Sequence, residues 1–234
     1  MPRVRRLSGA LTFGGRVPAA VGGLLAAVVA VSVAGALSRP VRDAALFSPV
    51  LVWRGEVWRL VTYPFLETDP LSLVLGGVML WMFARDLSAA WGGGRLLQAF
   101  VGLAAGAALA TSLLALAWPR LQVVVAAGPW PVIDALVVAW ALRFADRQLL
   151  FMFALPMNGR TLLWVTVGGT VLYAIFYGVA PYVPHLLAEG LVVLWLRGPR
   201  LRLPRLPRWR RRRGPCAVIH ADRDPDQSPP RWLN

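Results

Sequence analysis

Three ionisable side chains lie inside long apolar stretches of this sequence, where polar groups are rare and costly. Asp134 falls in one stretch, and His185 and Glu189 fall in another. Residues four apart share a face of a helix, so His185 and Glu189 would point the same way. Two carboxyls in so dry a place would seldom both be ionised. If the two stretches pack side by side as helices, one carboxyl is expected to be protonated and to donate to the other or to His185.

The composition shows why these stretches belong in a lipid bilayer. Of the 234 residues, 57% are apolar and 15% charged, and the mean hydropathy is +0.58. These values exceed those of soluble domains, which argues against a soluble enzyme and indicates one polytopic membrane domain. The single cysteine, Cys216, lies in a polar tail, so neither a disulfide framework nor a cysteine metal site is predicted.

Six apolar runs are candidate spans, because a helix needs about 20 mostly apolar residues to cross a bilayer. The fourth and sixth runs are short and require shelter by the other helices. The first run is interpreted as a span, with a secretory signal cleaved near residues 34–36 as the alternative. The six runs cover residues 17–37, 71–87, 96–118, 131–144, 161–179 and 184–196.

The basic residues are all arginines and give a net charge of +14. They concentrate before the first run, after the last and in alternate connections, so the positive-inside rule places both termini in the cytoplasm. The predicted organisation is a basic leader (1–16), a six-helix membrane domain (17–197) with a folded outer loop (38–70), and a disordered tail (198–234). We expect the protein to reside in the plasma (inner) membrane of a bacterium.

The tail carries a dense group of arginines directly after the last span. Such a group predicts attraction to anionic lipids. Nucleic-acid binding is not expected, since it would need a free tail and a fold that presents the charge. The group consists of Arg208, Arg210, Arg211, Arg212 and Arg213.

A segment between the first two runs carries a recognisable pattern. Residues 55–66 read Gly-Glu-Val-Trp-Arg-Leu-Val-Thr-Tyr-Pro-Phe-Leu, with Trp58 and Arg59 adjacent. This segment resembles the outer loop of rhomboid intramembrane serine proteases, and its Trp-Arg pair is that family's loop signature. Residues 80–92, 135–140 and 153–156 extend the likeness. It implies an all-α, six-helix rhomboid-like membrane bundle with both termini cytoplasmic.

The resemblance also implies a serine nucleophile activated by a histidine, with an oxyanion hole beside it. The family's Gly-x-Ser-Gly corresponds to Gly-Pro-Trp-Pro at residues 128–131, so Trp130 stands at the serine position. The family's His-x-x-x-Asn corresponds to residues 72–76, so Ser72 and Gly76 replace both side-chain donors. His185 matches the family histidine and is expected to open the sixth helix. The member is therefore expected to be catalytically inactive.

The predicted function is that of a pseudoprotease that binds transmembrane segments of client membrane proteins. Trp130 is interpreted as a plug of the former catalytic cavity or as a simple helix cap. A plainer interpretation of the acids is an interhelical hydrogen bond. The residues of the predicted client-binding face are Trp130, Asp134, His185 and Glu189.

Two further functions stay open at this stage. One is an active rhomboid serine endopeptidase that uses a non-standard nucleophile such as Ser72 or Thr62. The other is a proton path through Asp134 and Glu189, although the sequence lacks the internal repeats of transporters. Neither a metal nor a cofactor is expected, because one histidine and two acids are too few ligands.

Overall fold

The computed structural model describes residues 17–151 and 155–197 of the chain. Within those ranges the chain forms nine α-helices, two short 3₁₀ helices and two β-strands. The α-helices are α1 (Ala19–Leu37), α2 (Arg39–Ala45), α3 (Pro49–Trp53), α4 (Arg59–Thr62), α5 (Pro70–Trp91), α6 (Gly93–Ala117), α7 (Trp130–Arg143), α8 (Gly159–Tyr177) and α9 (Val179–Arg197).

Two predicted regions lie outside the described residues. They are the basic leader (1–16) and the tail (198–234). The predicted lipid contacts of the tail therefore stay predictions, namely those of Arg208, Arg210, Arg211, Arg212 and Arg213.

Five helices are long and apolar enough to cross a membrane, namely α1, α5, α6, α8 and α9. Together with their composition, these helices make the chain an integral membrane protein. The helix α1 runs unbroken through residues 34–36 and buries one side against α5 and α6. This packing is what a resident span requires, and it favours the span over the secretory signal.

The central helix is α7, which coincides with the fourth predicted span. It has 14 residues and so measures about 21 Å, too short to cross the hydrocarbon core without shelter. Ten of those residues are buried, and α5, α8 and α9 pack around it. Its Trp140 is fully buried and meets the Phe83 ring edge-on at 5.7 Å.

The helix α9 differs from the sequence prediction at its start. It begins at Val179 and has 19 residues, so the predictions of a short sixth span and of His185 at its opening were wrong. Pro184 lies inside the helix. A proline there removes one backbone hydrogen bond and kinks the helix, and neighbouring helices permit this within a membrane. His185 therefore lies in the second turn of α9.

The segment predicted as the outer loop folds into short helical pieces. The helices α2, α3 and α4 follow one another, and a 3₁₀ turn spans Tyr63–Phe65. Several of its apolar side chains stay exposed, including Trp53 and Trp58 at 50% each. Exposed tryptophans on a membrane protein are typical of the headgroup level.

Two connections position the last helices. Between α7 and α8 lies a hairpin of β1 (Gln148–Phe151) and β2 (Leu155–Asn158), which pair antiparallel with Gln148 opposite Asn158. The sequence analysis did not foresee this hairpin. A single residue, Gly178, joins α8 to α9, and its φ of +94° explains why glycine stands there.

Candidate functional site

The N-terminal end of α7 brings together the two positions where the nucleophile and an oxyanion donor were expected. A Cβ added to Gly76 would lie 3.7 Å from Cε2 and Cζ2 of Trp130, and 3.5 Å from Cδ1 of Ile133. The indole thus packs over the bare backbone of α5. A Cβ at position 76 would already be in van der Waals contact with Trp130. A longer side chain there therefore has little room.

The turn before α7 is fixed by a close contact with the outer loop. Gly128 has a φ of +91°, and a Cβ there would lie 2.5 Å from Oε2 of Glu67. The Gly128 amide donates to the carbonyl of Tyr63 at 3.0 Å. Burial raises the pKa of Tyr63, whose hydroxyl donates to the carbonyl of Ala104 at 3.3 Å. These contacts fix the position of the first residue of α7, Trp130.

His185 and Asp134 form the polar centre of the site. Nδ1 of His185 lies 2.7 Å from Oδ2 of Asp134, and the two side chains are 20% and 22% exposed. The sequence left open whether a carboxyl would pair with the other carboxyl or with His185. In the structure Asp134 pairs with His185. The pair joins α9 to α7 and keeps a partly open face.

Glu189 has a different partner from the one expected. It is buried, and its Oε1 accepts a hydrogen bond from Oγ1 of Thr170 at 2.8 Å. Thr170 lies on α8, and its Oγ1 is also 3.1 Å from the carbonyl oxygen of Thr166. The sequence analysis assigned no role to Thr170, although a threonine among apolar residues is a reasonable partner for a buried acid.

The alternative nucleophiles are engaged in local structure. Ser72 lies in the first turn of α5, where its backbone amide donates to the N-cap carboxylate of Asp69 at 2.6 Å. The Thr62 hydroxyl donates to the carbonyl of Ala45 at 3.4 Å. Among the hydrogen bonds of the described residues, none joins either hydroxyl to His185.

The loop signature closes the end of α2. Side chains of residues 58–62 donate to the carbonyls of residues 43–46, the last three residues of α2 and its C-cap, which the helix itself leaves without partners. Trp58 donates to Ala44 at 3.3 Å. Arg59 donates to Leu46 at 2.7 Å and also to the Asp43 carbonyl. The Thr62 hydroxyl donates to the carbonyl of Ala45. Trp58 and Arg59 therefore have a structural role at the end of α2.

Three tyrosines missed by the sequence analysis lie near the C-terminus of α8 and the N-terminus of α9. The rings of Tyr177 and Tyr173 stack with centroids 5.7 Å apart, and Tyr173 meets Tyr182 at 5.9 Å. The Tyr182 ring lies 5.6 Å from the imidazole of His185. We call these three residues the tyrosine row. It leads from the α8–α9 junction to the polar pair.

The chain belongs to the rhomboid family. A family model of the rhomboid domain matches residues 54–196, more than half of the 234 residues. This match covers α4 to α9 apart from the last residue of α9, and so includes every residue of the site described above except those of the α2 terminus. A comparison with curated proteins gave no match.

Residues 17–151 and 155–197 contain no group of three or more histidine, cysteine or acidic side chains placed to hold an ion. The arrangement instead offers a histidine–carboxylate pair, a buried acid and a row of aromatic rings.

Replacing Gly128 by alanine is expected to destabilise the protein by about 1–2 kcal/mol, because an L-residue is strained at positive φ. The clash with Glu67 adds to this cost. Gly55→Ala is the matched control, since its φ is +99° and nothing lies within 4 Å of its Cβ position. Equilibrium unfolding in detergent micelles measures both. If the two variants lose equal stability, the contact between Gly128 and Glu67 has no energetic role.

Proposed function

We propose that this rhomboid family member is a pseudoprotease that binds transmembrane segments of client membrane proteins. The observation that carries the proposal is the packing of the Trp130 indole over Gly76. At the two positions that serve catalysis in the family, the Trp130 indole here occupies the space beside Gly76. Loss of a nucleophile costs about a million-fold in rate, and loss of one oxyanion donor costs about a hundred- to a thousand-fold.

The proposed topology has six spans with both ends of the membrane domain in the cytoplasm. Enclosure of α7 by three longer helices supports its role as a short span. The distribution of arginines supports the orientation. We further propose that the protein resides in a bacterial plasma (inner) membrane, where the tail contacts anionic lipids.

The polar pair supports client binding over a purely structural role. A pair that only joined α7 to α9 would need no open face, and the bond between Thr170 and Glu189 has none. Asp134 and His185 instead keep about a fifth of their side-chain surface exposed. Polar groups left open within a bundle mark the paths of ligands through membrane proteins.

The proposal is tested with purified protein in liposomes that contain a transmembrane substrate cleaved by an active rhomboid, which serves as the positive control. Wild type and His185→Ala are expected to yield no product. Trp130→Ser is expected to stay far below the positive control, because Gly76 supplies no side-chain oxyanion donor. Cleavage by wild type that disappears in His185→Ala would overturn the proposal and favour a serine endopeptidase with a non-standard nucleophile.

Client binding is tested by photo-crosslinking in the same liposomes. A photoreactive residue in place of Trp130 is expected to crosslink to an added membrane-spanning peptide that stays intact. The matched control places it at Trp164, which is 73% exposed on α8. Equal crosslinking from both positions would indicate random collision in the bilayer and would contradict a binding site.

A further inference from the structure

We propose that the tyrosine row, together with Asp134 and His185, forms a recognition site for a basic side chain in the outer part of a client's transmembrane segment. The inference rests on the proposed client binding and specifies the chemistry that the site selects. It names lysine or arginine as the group that is bound.

The row is formed by three of the four tyrosines in the chain. It is continuous, because each of its rings lies within 6 Å of the next and the last one contacts His185. The rings are also accessible, with Tyr173 at 54% and Tyr177 at 71% exposure. The face of an aromatic ring attracts a cation through the ring quadrupole. The row thus offers successive weak cation sites that end at a carboxylate.

The polar pair supplies the charge. When a neutral imidazole donates its Nδ1–H to Asp134, the pair carries one negative charge and Nε2 of His185 remains an acceptor. Among the ion pairs of the described residues, Asp134 takes part only in the one with His185. An ammonium or guanidinium group would therefore bind Asp134 at the carboxylate oxygen that His185 does not hold. A client carboxylate would be repelled.

The depth of the pair favours a client side chain over a lipid amine. Asp134 lies one helical turn along α7 from Trp130, so it is about 6 Å from the start of the helix. A lipid amine stays at the headgroup level. A lysine on a helix alongside reaches such a depth with its flexible stem. A basic side chain within lipid is costly when it has no partner. The site is therefore expected to favour clients whose transmembrane segment carries such an unpaired lysine or arginine.

The test uses the full chain in liposomes of phosphatidylglycerol and three labelled leucine-rich peptides that span the bilayer. One peptide carries lysine in its outer third, one carries norleucine there, and one carries lysine in its inner third. Energy transfer measures binding. The outer-lysine peptide is expected to bind about tenfold more tightly than the norleucine peptide, while the inner-lysine peptide gains nothing.

Two variants assign the preference to the site. Asp134→Asn is expected to abolish it by removing the charge. The double substitution of Tyr173 and Tyr177 by leucine is expected to reduce it about threefold while binding of the norleucine peptide stays unchanged. A third variant, Trp164→Leu, removes an exposed aromatic elsewhere on α8 and is expected to leave the preference intact.

The outcomes separate this inference from the function beneath it. Equal binding of all three peptides would overturn the inference and leave client binding standing. Failure of every peptide to bind would overturn both. A lysine preference that vanishes when phosphatidylethanolamine is added would mean that a lipid amine occupies the site, which also overturns the inference. A preference that survives this addition and disappears in Asp134→Asn establishes it.

Discussion

Arg59→Ala is expected to lower the free energy of unfolding by about 3 kcal/mol, because it removes a buried charge that joins two parts of the outer loop. The Arg59 side chain is only 7% exposed. It binds the Glu56 carboxylate, with Nε at 2.7 Å from Oε2, and it donates to the carbonyls of Asp43 and Leu46. Alanine would leave both carbonyls and the carboxylate without this partner.

The matched control is Arg42→Ala. Arg42 belongs to the same loop, but its pair with Asp43 is 3.6 Å long and both side chains are largely exposed. Such surface pairs contribute less than about 1 kcal/mol. Arg59→Lys is expected to fall between the two, since lysine keeps the charge but cannot present the planar set of donors. Equal losses in Arg59→Ala and Arg42→Ala would show that the buried network does not stabilise the loop.

The sequence was sufficient to locate most of the long helices, because their apolar runs are long compared with what a soluble core requires. Each described long helix overlaps its predicted span, and the start of α9 differs most. There the predicted run begins at Pro184, whereas the helix begins at Val179. Within a packed bundle the missing hydrogen bond at Pro184 is tolerated, and the sequence alone does not show which neighbours provide that shelter.

The pairing of the site residues was less accessible to sequence reasoning. Spacing along one helix places His185 and Glu189 on a shared face, but the rotation of α7 and α8 decides which partner each one meets. Asp134 therefore pairs with His185, while Glu189 turns to Thr170. The tyrosine row was missed for the same reason, because it is assembled from the ends of two helices. The packing of Trp130 on Gly76 depends on a contact between α7 and α5.

The four carbonyls at the end of α2 illustrate a third limit. A resemblance assigned Trp58 and Arg59 to a family signature without giving their physical role. The structure shows that the signature segment donates to the whole exposed terminus of a helix about fifteen residues earlier in the chain. No local pattern in the sequence predicts that closure, since α2 itself is a helix of seven residues.

Gly159→Ala is expected to cost about 2–3 kcal/mol, because the start of α8 lies directly against the backbone at the end of α7. A Cβ on Gly159 would lie 2.6 Å from the carbonyl oxygen of Phe144 and 3.1 Å from that of Ala141. Backbone atoms cannot rotate away as a flexible side chain would. The strain can be relieved only by moving α8 away from α7, and with it Thr170.

The control for this prediction is Gly168→Ala on the same helix. Gly168 is exposed and nothing lies within 4 Å of its Cβ position, so alanine there is expected to be neutral or stabilising by up to about 1 kcal/mol. Unfolding in micelles measures the stability of both variants. Peptide binding measures a second consequence, because a displaced α8 carries Tyr173 and Tyr177 away from His185 and should weaken the lysine preference. If Gly159→Ala matched Gly168→Ala in both measurements, close contact between α7 and α8 would not be what positions the tyrosine row.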